Sequence, residues 1–228
     1  MEITMYDKLL QLPLFQGICR DDFTDILEKV KLHFYKQEAG SSIVAQGEVC
    51  NKLIFSLSGK IQVEMADEKG RYRIQEIMDG PYVIEPYSLF GMHTYYTASY
   101  QAYTVSNIVT IDKSYILTHL NHYDIFRLNY LNILSNRAQC LSNKLRTLER
   151  GNTMEQIIDF VLFRCNNTSG SKTVLVKMED LAQIIGETRI NVSNVLNSLQ
   201  EKGLVQLSRK KIIIPDLDAL IKVKTSQP

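Results

Sequence analysis

From Tyr123 to Arg150 the chain runs for 28 residues without a glycine or a proline, and Leu, Arg, Lys and Gln recur along it. These are strong helix formers, so the segment predicts one long helix. Its second half carries Leu131, Leu134, Ala138, Leu141, Leu145 and Leu148, spaced 3, 4, 3, 4 and 3 residues apart. Such an alternation is an a/d seam that faces a partner helix. A second copy across a two-fold axis is the simplest partner, and the alternative is that the stripe covers the protein's own core. Gly151-Asn152-Thr153 ends the helix, can cap the next one, and marks the expected hinge between two domains.

Before the helix the pattern is mostly β. Asp21 to Val30 puts Phe23, Ile26, Leu27 and Val30 at helical spacing, after which the period becomes two. In Lys60-Ile61-Gln62-Val63-Glu64-Met65 apolar and polar side chains alternate, as a strand with one buried face requires. Short runs of the same kind occur at Ile43–Ala45, Leu53–Leu57, Arg73–Ile77, Ala102–Val105 and Ile108–Ile111, punctuated by Gly47, Gly59, Gly70 and Gly80. Many short strands with glycine turns predict a barrel or jelly roll. With 228 residues, 45% of them apolar, the chain can bury a core in each of two domains, and a disordered or fibrous class is excluded.

After the hinge, Thr153–Cys165 reads as a helix, Thr173–Val176 as a strand, and two helices follow, split by Gly186. Leu204–Leu207 and Lys211–Ile214 then flank Ser208-Arg209-Lys210 as a β-hairpin. Helix, strand, helix, turn, helix, hairpin is the order of a winged helix-turn-helix. Leu181, Ala182 and Ile185 line one face of the first helix of the pair, and Val192, Val195, Leu196 and Leu199 one face of the second. Opposite that second stripe lie Ile190, Ser193, Asn194 and Asn197, with Arg189 and Asn191 toward its edges. This face is polar and almost uncharged. Arg and Asn make paired hydrogen bonds to guanine and adenine edges, and an exposed Ile190 can meet a thymine methyl. Arg209, Lys210 and Lys211 at the hairpin tip are placed for phosphate contacts, joined by Lys177 and Thr188, with Lys172 as a further contributor. The whole chain has a formal charge of +1, and residues 151–228 hold 10 basic and 8 acidic side chains, so any polyanion contact must be local. An Asn-rich helical interaction surface is the alternative.

No segment reaches the ~18 uninterrupted apolar residues of a membrane span, and the N-terminus lacks a signal-peptide layout, which predicts a cytoplasmic chain. Cys19, Cys50, Cys140 and Cys165 are far apart and form no C-x-x-C pair, so reduced thiols are expected rather than disulfides or zinc. His33, His93, His119 and His122 contain no H-x-H pair, and no P-loop, nucleophile elbow or dinucleotide fingerprint is present. We therefore expect no enzyme activity, no metal and no cofactor. His93 as a haem ligand rests on its location alone, and an iron–sulfur cluster lacks clustered N-terminal cysteines.

Ser42-Ile43-Val44-Ala45-Gln46-Gly47-Glu48, Phe55-Ser56-Leu57-Ser58-Gly59-Lys60-Ile61 and Ser88-Leu89-Phe90 resemble the sensor-barrel motifs of the Crp/Fnr transcription regulators. Leu181-Ala182-Gln183-Ile184-Ile185-Gly186 through Arg189, Val192, Leu196 and Leu199 resembles their DNA-reading unit. The shared order, with a long helix between, is more specific than any fragment. The resemblance implies an α+β chain with three parts. These are an N-terminal double-stranded β-helix (jelly-roll, cyclic-nucleotide-binding-like) sensor over 1–122, a dimerisation helix over 123–150, and a winged helix-turn-helix over 151–228. It also implies a homodimer on double-stranded DNA at an inverted repeat, RNA polymerase as a partner and a small-molecule effector. Arg189 falls at the family's first base-reading arginine. Ile190 and Asn194 stand where the cyclic-AMP-binding members have Glu and Arg, so the operator should differ. The base-reading set is Arg189, Ile190, Asn191, Ser193 and Asn194.

In those members a Gly-Glu pair and a later Arg-Ser/Thr hold the ribose and cyclic phosphate. Here Pro86 stands in place of the sugar-binding Glu, Tyr96 in place of the Arg, and Cys140-Leu141 in place of the polar pair on the long helix; Thr97 alone matches. A buried phosphodiester without a cation is unpaired, so cyclic AMP is not the expected effector. Tyr87, Ser88, Tyr96, Thr97 and Cys140 mark the candidate effector pocket. The aromatics Tyr82, Tyr87, Phe90, Tyr95, Tyr96, Tyr100 and Tyr103 could line it for a planar ligand, and self-filling or core packing is the favoured reading. The alternative function is a sensor that controls a protein partner rather than DNA.

Overall fold

A computed structural model describes residues 5–146 and 151–225. In chain order the elements begin with helices α1 (Met5–Leu10) and α2 (Arg20–Lys29) and strands β1 (His33–Gln37), β2 (Ser42–Val44), β3 (Lys52–Ser58) and β4 (Lys60–Ala66). Strands β5 (Tyr72–Asp79), β6 (Tyr82–Ile84), β7 (Ser99–Ala102) and β8 (Ser106–Asp112) follow, then helices α3 (Lys113–Thr118), α4 (Asp124–Arg146) and α5 (Thr153–Arg164). Last come strand β9 (Lys172–Val176), helices α6 (Met178–Ile185) and α7 (Arg189–Glu201), strands β10 (Gln206–Ser208) and β11 (Lys211–Ile214), and helix α8 (Leu217–Thr225). The described residues fall into two compact units. One draws on Met1–Gln62 and Met78–Leu141, the other on Val63–Ile77 and Ser142–Pro228.

The first unit is a jelly roll. Antiparallel strands run in the order β1-β8-β3-β6, and β2 pairs with β7. Strand β3 buries Leu53 through Leu57 in succession, as a strand covered on both faces does. Phe15 sits amid Phe23, Phe55 and Phe126, with ring centroids 5.5 to 5.8 Å apart, so the start of α4 is anchored in the core of this unit. The turn between β3 and β4 requires Gly59: its φ is +95°, and a β-carbon there would lie 2.6 Å from the Val105 carbonyl oxygen. The strand expected at Ala102–Val105 lies instead at Ser99–Ala102. Beyond it the chain turns, because Tyr103 N–H donates to the Lys60 carbonyl and Lys60 N–H donates to Thr104 Oγ1.

The long helix is present over Asp124–Arg146. Along its seam Leu131, Ala138, Leu141 and Leu145 are exposed and Leu134 is half-buried; Leu148 lies outside the described residues. Residue Leu128, also exposed, extends the stripe toward the N-terminus.

In the second unit Asn152 caps α5, its side chain accepting from Glu155 N–H. The strand order is β10-β11-β9-β5, all antiparallel. Strand β5 comes from the N-terminal half of the sequence and pairs along the whole of β9, with Tyr72 opposite Val176, Ile74 opposite Val174 and Glu76 opposite Lys172. Side chains of these alternate positions share one face and enter a core with Ile158, Val161, Leu181, Leu196 and Leu220. Arg164 lies over the Tyr72 and Phe160 rings and donates from Nε to the Tyr72 hydroxyl at 2.7 Å.

Lys172 corrects one expectation: it is fully buried, with no path to a phosphate. Its Nζ donates to Glu76 Oε2 at 2.9 Å, Asn167 Oδ1 at 2.7 Å and the Ser169 carbonyl at 2.8 Å, while Glu76 Oε1 accepts from Asn166 N–H at 2.8 Å. All three ammonium protons are used. Because one partner of a buried ion pair cannot be left alone, Glu76→Ala should destabilise the protein by about 3–5 kcal/mol. Urea denaturation measures this; a loss comparable to that of an exposed substitution would contradict it.

Candidate functional site

The helix pair is set by its turn. Gly186 ends α6 in the left-handed region (φ 75°, ψ 30°), and its N–H donates to the Ala182 carbonyl. Two residues on, the Thr188 hydroxyl caps α7 by accepting from Asn191 N–H at 3.2 Å. Val192, Leu196 and Leu199 of α7 are buried, which turns the opposite face outward. On that face Arg189, Asn191 and Asn194 are exposed, Ser193 is half-buried, and Ile190 is 71% exposed. An exposed isoleucine amid asparagines is an apolar contact point on a hydrogen-bonding surface.

The base-reading candidates are held locally by carboxylates. Arg189 Nε lies 3.8 Å from Glu179 Oε1, a long and exposed contact that contributes little. Asn191 Nδ2 donates to Glu187 Oε2 at 3.2 Å. That bond, with a second from Thr153, holds the Glu187 carboxyl below the usual carboxylate range. Both donors can be released to a better acceptor, since neither is buried.

Beside the start of α7 the hairpin β10–β11 turns through Arg209 and Lys210, with Ser208 opposite Lys211. A groove of about 440 Å³ runs between them, lined by Lys177, Glu179, Arg189, Arg209, Lys210 and Lys211 among others. It therefore brings together the expected phosphate contacts and the first base-reading residue. Thr188 is committed to its cap, and Lys211 is half-buried. Lys210 adopts φ +59°, a conformation that an L-residue takes at a cost.

The candidate effector-pocket residues do not all converge. Tyr87 stacks under the Arg137 guanidinium, 4.9 Å from its ring centroid, and Cys140 is exposed on α4. Tyr96 is buried, with its hydroxyl donating to the Lys52 carbonyl, and desolvation holds its pKa well above the usual phenol value. Tyr96 and Tyr100 are core residues, whereas Tyr95 and Tyr103 are about half exposed and His93 is exposed. Ser88 and Thr97 do meet, on a residue that the sequence reading passed over. Glu85, 1% exposed and at φ 35°, accepts on Oε1 from Thr97 Oγ1, Ala98 N–H and the Tyr100 hydroxyl, and on Oε2 from Ser88 Oγ and Thr97 N–H. The one available signal was an acidic residue between the apolar run Tyr82-Val83-Ile84 and Pro86.

Residues 155–223 match the family model of the Crp-like helix-turn-helix domain. The chain is 22% identical, over 80% of its own length and 84% of the relative's, to the CRP-like cAMP-activated global transcriptional regulator of Mycobacterium tuberculosis. Among solved structures it is similar to a transcriptional regulator of the Crp/Fnr family from Eubacterium rectale, with a TM-score of 0.56, 17% identity and coverage of 94% and 98% of the two chains. It is also similar to the Thermus thermophilus catabolite activator protein, with a TM-score of 0.53, 20% identity and coverage of 93% and 98%. The chain therefore has the fold of these proteins.

Lys210→Gly removes the left-handed cost and should leave stability unchanged or raise it by up to about 1 kcal/mol, whereas Lys210→Ala should give no such gain. Equilibrium unfolding of the two variants makes the comparison.

Proposed function

We propose that this chain, a Crp/Fnr-family transcription regulator with a Crp-like helix-turn-helix domain, binds an inverted-repeat operator in double-stranded DNA as a cytoplasmic homodimer. The observation that carries the reading is the face of α7, which shows Arg189, Ile190, Asn191 and Asn194 beside a basic hairpin tip. The helix would lie in the major groove with Arg189, Ile190, Asn191, Ser193 and Asn194 at base edges, while Lys177, Arg209, Lys210 and Lys211 hold phosphates. On binding, Arg189 leaves Glu179 and Asn191 leaves Glu187, exchanging weak exposed contacts for paired hydrogen bonds to bases.

The exposed leucines of α4 support pairing through Leu131, Leu134, Ala138, Leu141 and Leu145, continued by Leu148. Pairing would present two reading helices about 34 Å apart, one turn of duplex. RNA polymerase is the downstream partner in this reading. Cyclic AMP is not the effector we propose, because Tyr96 occupies the arginine position and is consumed by the core.

Selection of full-length protein on a random duplex pool should enrich a two-fold symmetric motif; no enrichment by folded dimer would favour a protein partner instead. Arg189→Ala should weaken operator binding by about 1–3 kcal/mol and relax specificity at one base. Lys210→Ala should weaken operator and random DNA alike and reduce the salt slope by about 1. Equal losses on operator and random DNA for Arg189→Ala would remove it from the reading set. In sedimentation, Leu141→Asp should shift the dimer to monomer and abolish operator binding at the same protein concentration.

A further inference from the structure

Five donors converge on one buried point in the sensor. Thr97 and Ala98 aim two successive backbone N–H groups at it, 2.8 and 3.0 Å from the oxygens they reach. The hydroxyls of Thr97, Ser88 and Tyr100 complete the set at 2.9, 2.8 and 3.1 Å. Burial, reinforced by Tyr82 and Glu85, raises the Tyr100 pKa far above the usual phenol value, so its hydroxyl keeps its proton. Successive N–H groups with converging hydroxyls form a concavity that suits a small oxyanion. What fills it is the Glu85 carboxylate, and the backbone that brings it there sits at φ 35° and ψ 56°, outside ordinary preference for a glutamate.

We propose that this is a small-oxyanion site which the protein occupies with its own Glu85 carboxylate, so that the sensor core reaches this arrangement without a diffusible anion. The intrinsic occupant is effectively always bound, because loop closure replaces a bimolecular step. Free anions therefore cannot compete in the wild-type protein. The site's class of ligand becomes visible only when the side chain is removed.

Glycine is the informative replacement, because it adopts the same backbone angles freely and opens a cavity shaped for a short carboxylate. Full-length Glu85→Gly should melt about 5 °C or more below wild type. Formate or acetate should then raise its melting temperature in proportion to concentration, above a sodium chloride control of equal ionic strength, and leave wild type unmoved. Unchanged melting in Glu85→Gly, no response to either anion beyond chloride, or an equal response in wild type would each overturn the proposal.

Glu85→Gln keeps the volume and covers the case in which the glycine variant does not fold. Its amide must set an N–H against at least one of the N–H donors, so it should melt below wild type and ignore formate; failure to fold also supports the need for a carboxylate. A wild-type melting temperature for Glu85→Gln overturns the proposal. A second arm rests on the regulator reading: operator affinity of Glu85→Gly should fall and recover with acetate. The thermal arm uses no DNA, so the two readings can fail separately.

Discussion

A lysine set directly opposite a glutamate inside the second unit decides how the sheet there can be assembled. Lys172 and Glu76 are cross-strand neighbours of β9 and β5, both almost wholly withdrawn from water. A slip of one residue would set Lys172 against Gln75 or Ile77 and turn Tyr72 and Ile74 away from the core. The charge pair and the apolar positions thus demand the same register. Helices α5 and α7 pack on a core that contains that face, so α7 and the hairpin β10–β11 inherit their placement from it.

Carboxylates serve two purposes in this molecule, and burial separates them. Glu179 and Glu187 sit at the rim of the groove, in water, where their hold on Arg189 and Asn191 is weak enough to be exchanged. In the jelly-roll unit, Glu85 makes a set of bonds of the same kind while itself buried, where leaving the donors without an acceptor costs each its desolvation. The same side chain is therefore a removable placeholder in one unit and a permanent part of the core in the other.

Periodicity made much of the fold legible. The helices at Asp21–Val30 and Thr153–Cys165, the helix pair around Gly186 and the strand at Leu53–Leu57 all appear within a residue or two of their expected places. Strand β1 was not legible, because Phe34 and Tyr35 are both about half exposed and leave no alternation to detect. Helix α8 follows Pro215 and is short, with Leu217 and Leu220 as its buried contacts. The pairing of β5 with β9 joins residues 90 or more positions apart, which no local pattern reports. In the candidate site, the exposure of Arg189 and the place of Arg209 and Lys210 at the hairpin turn were readable from face and turn chemistry. Lys172 was misread because a lysine in a short β segment looks solvated until its three acceptors are known, two of them from the preceding loop. Glu85 was missed because four of its five donors lie 12 to 15 residues downstream.

The sheet of the second unit borrows strand β5 from a distant stretch of the chain. A polypeptide cut before Gly151 to carry the C-terminal segment alone would expose the edge of β9, strip Tyr72 and Ile74 from the core and leave Lys172 without its carboxylate. Open apolar edges of that kind invite pairing with other chains, and an unaccompanied interior ammonium drives water in. Any exchange of the segment after Gly151 for a foreign one would therefore have to supply a strand that fits β5 of this chain.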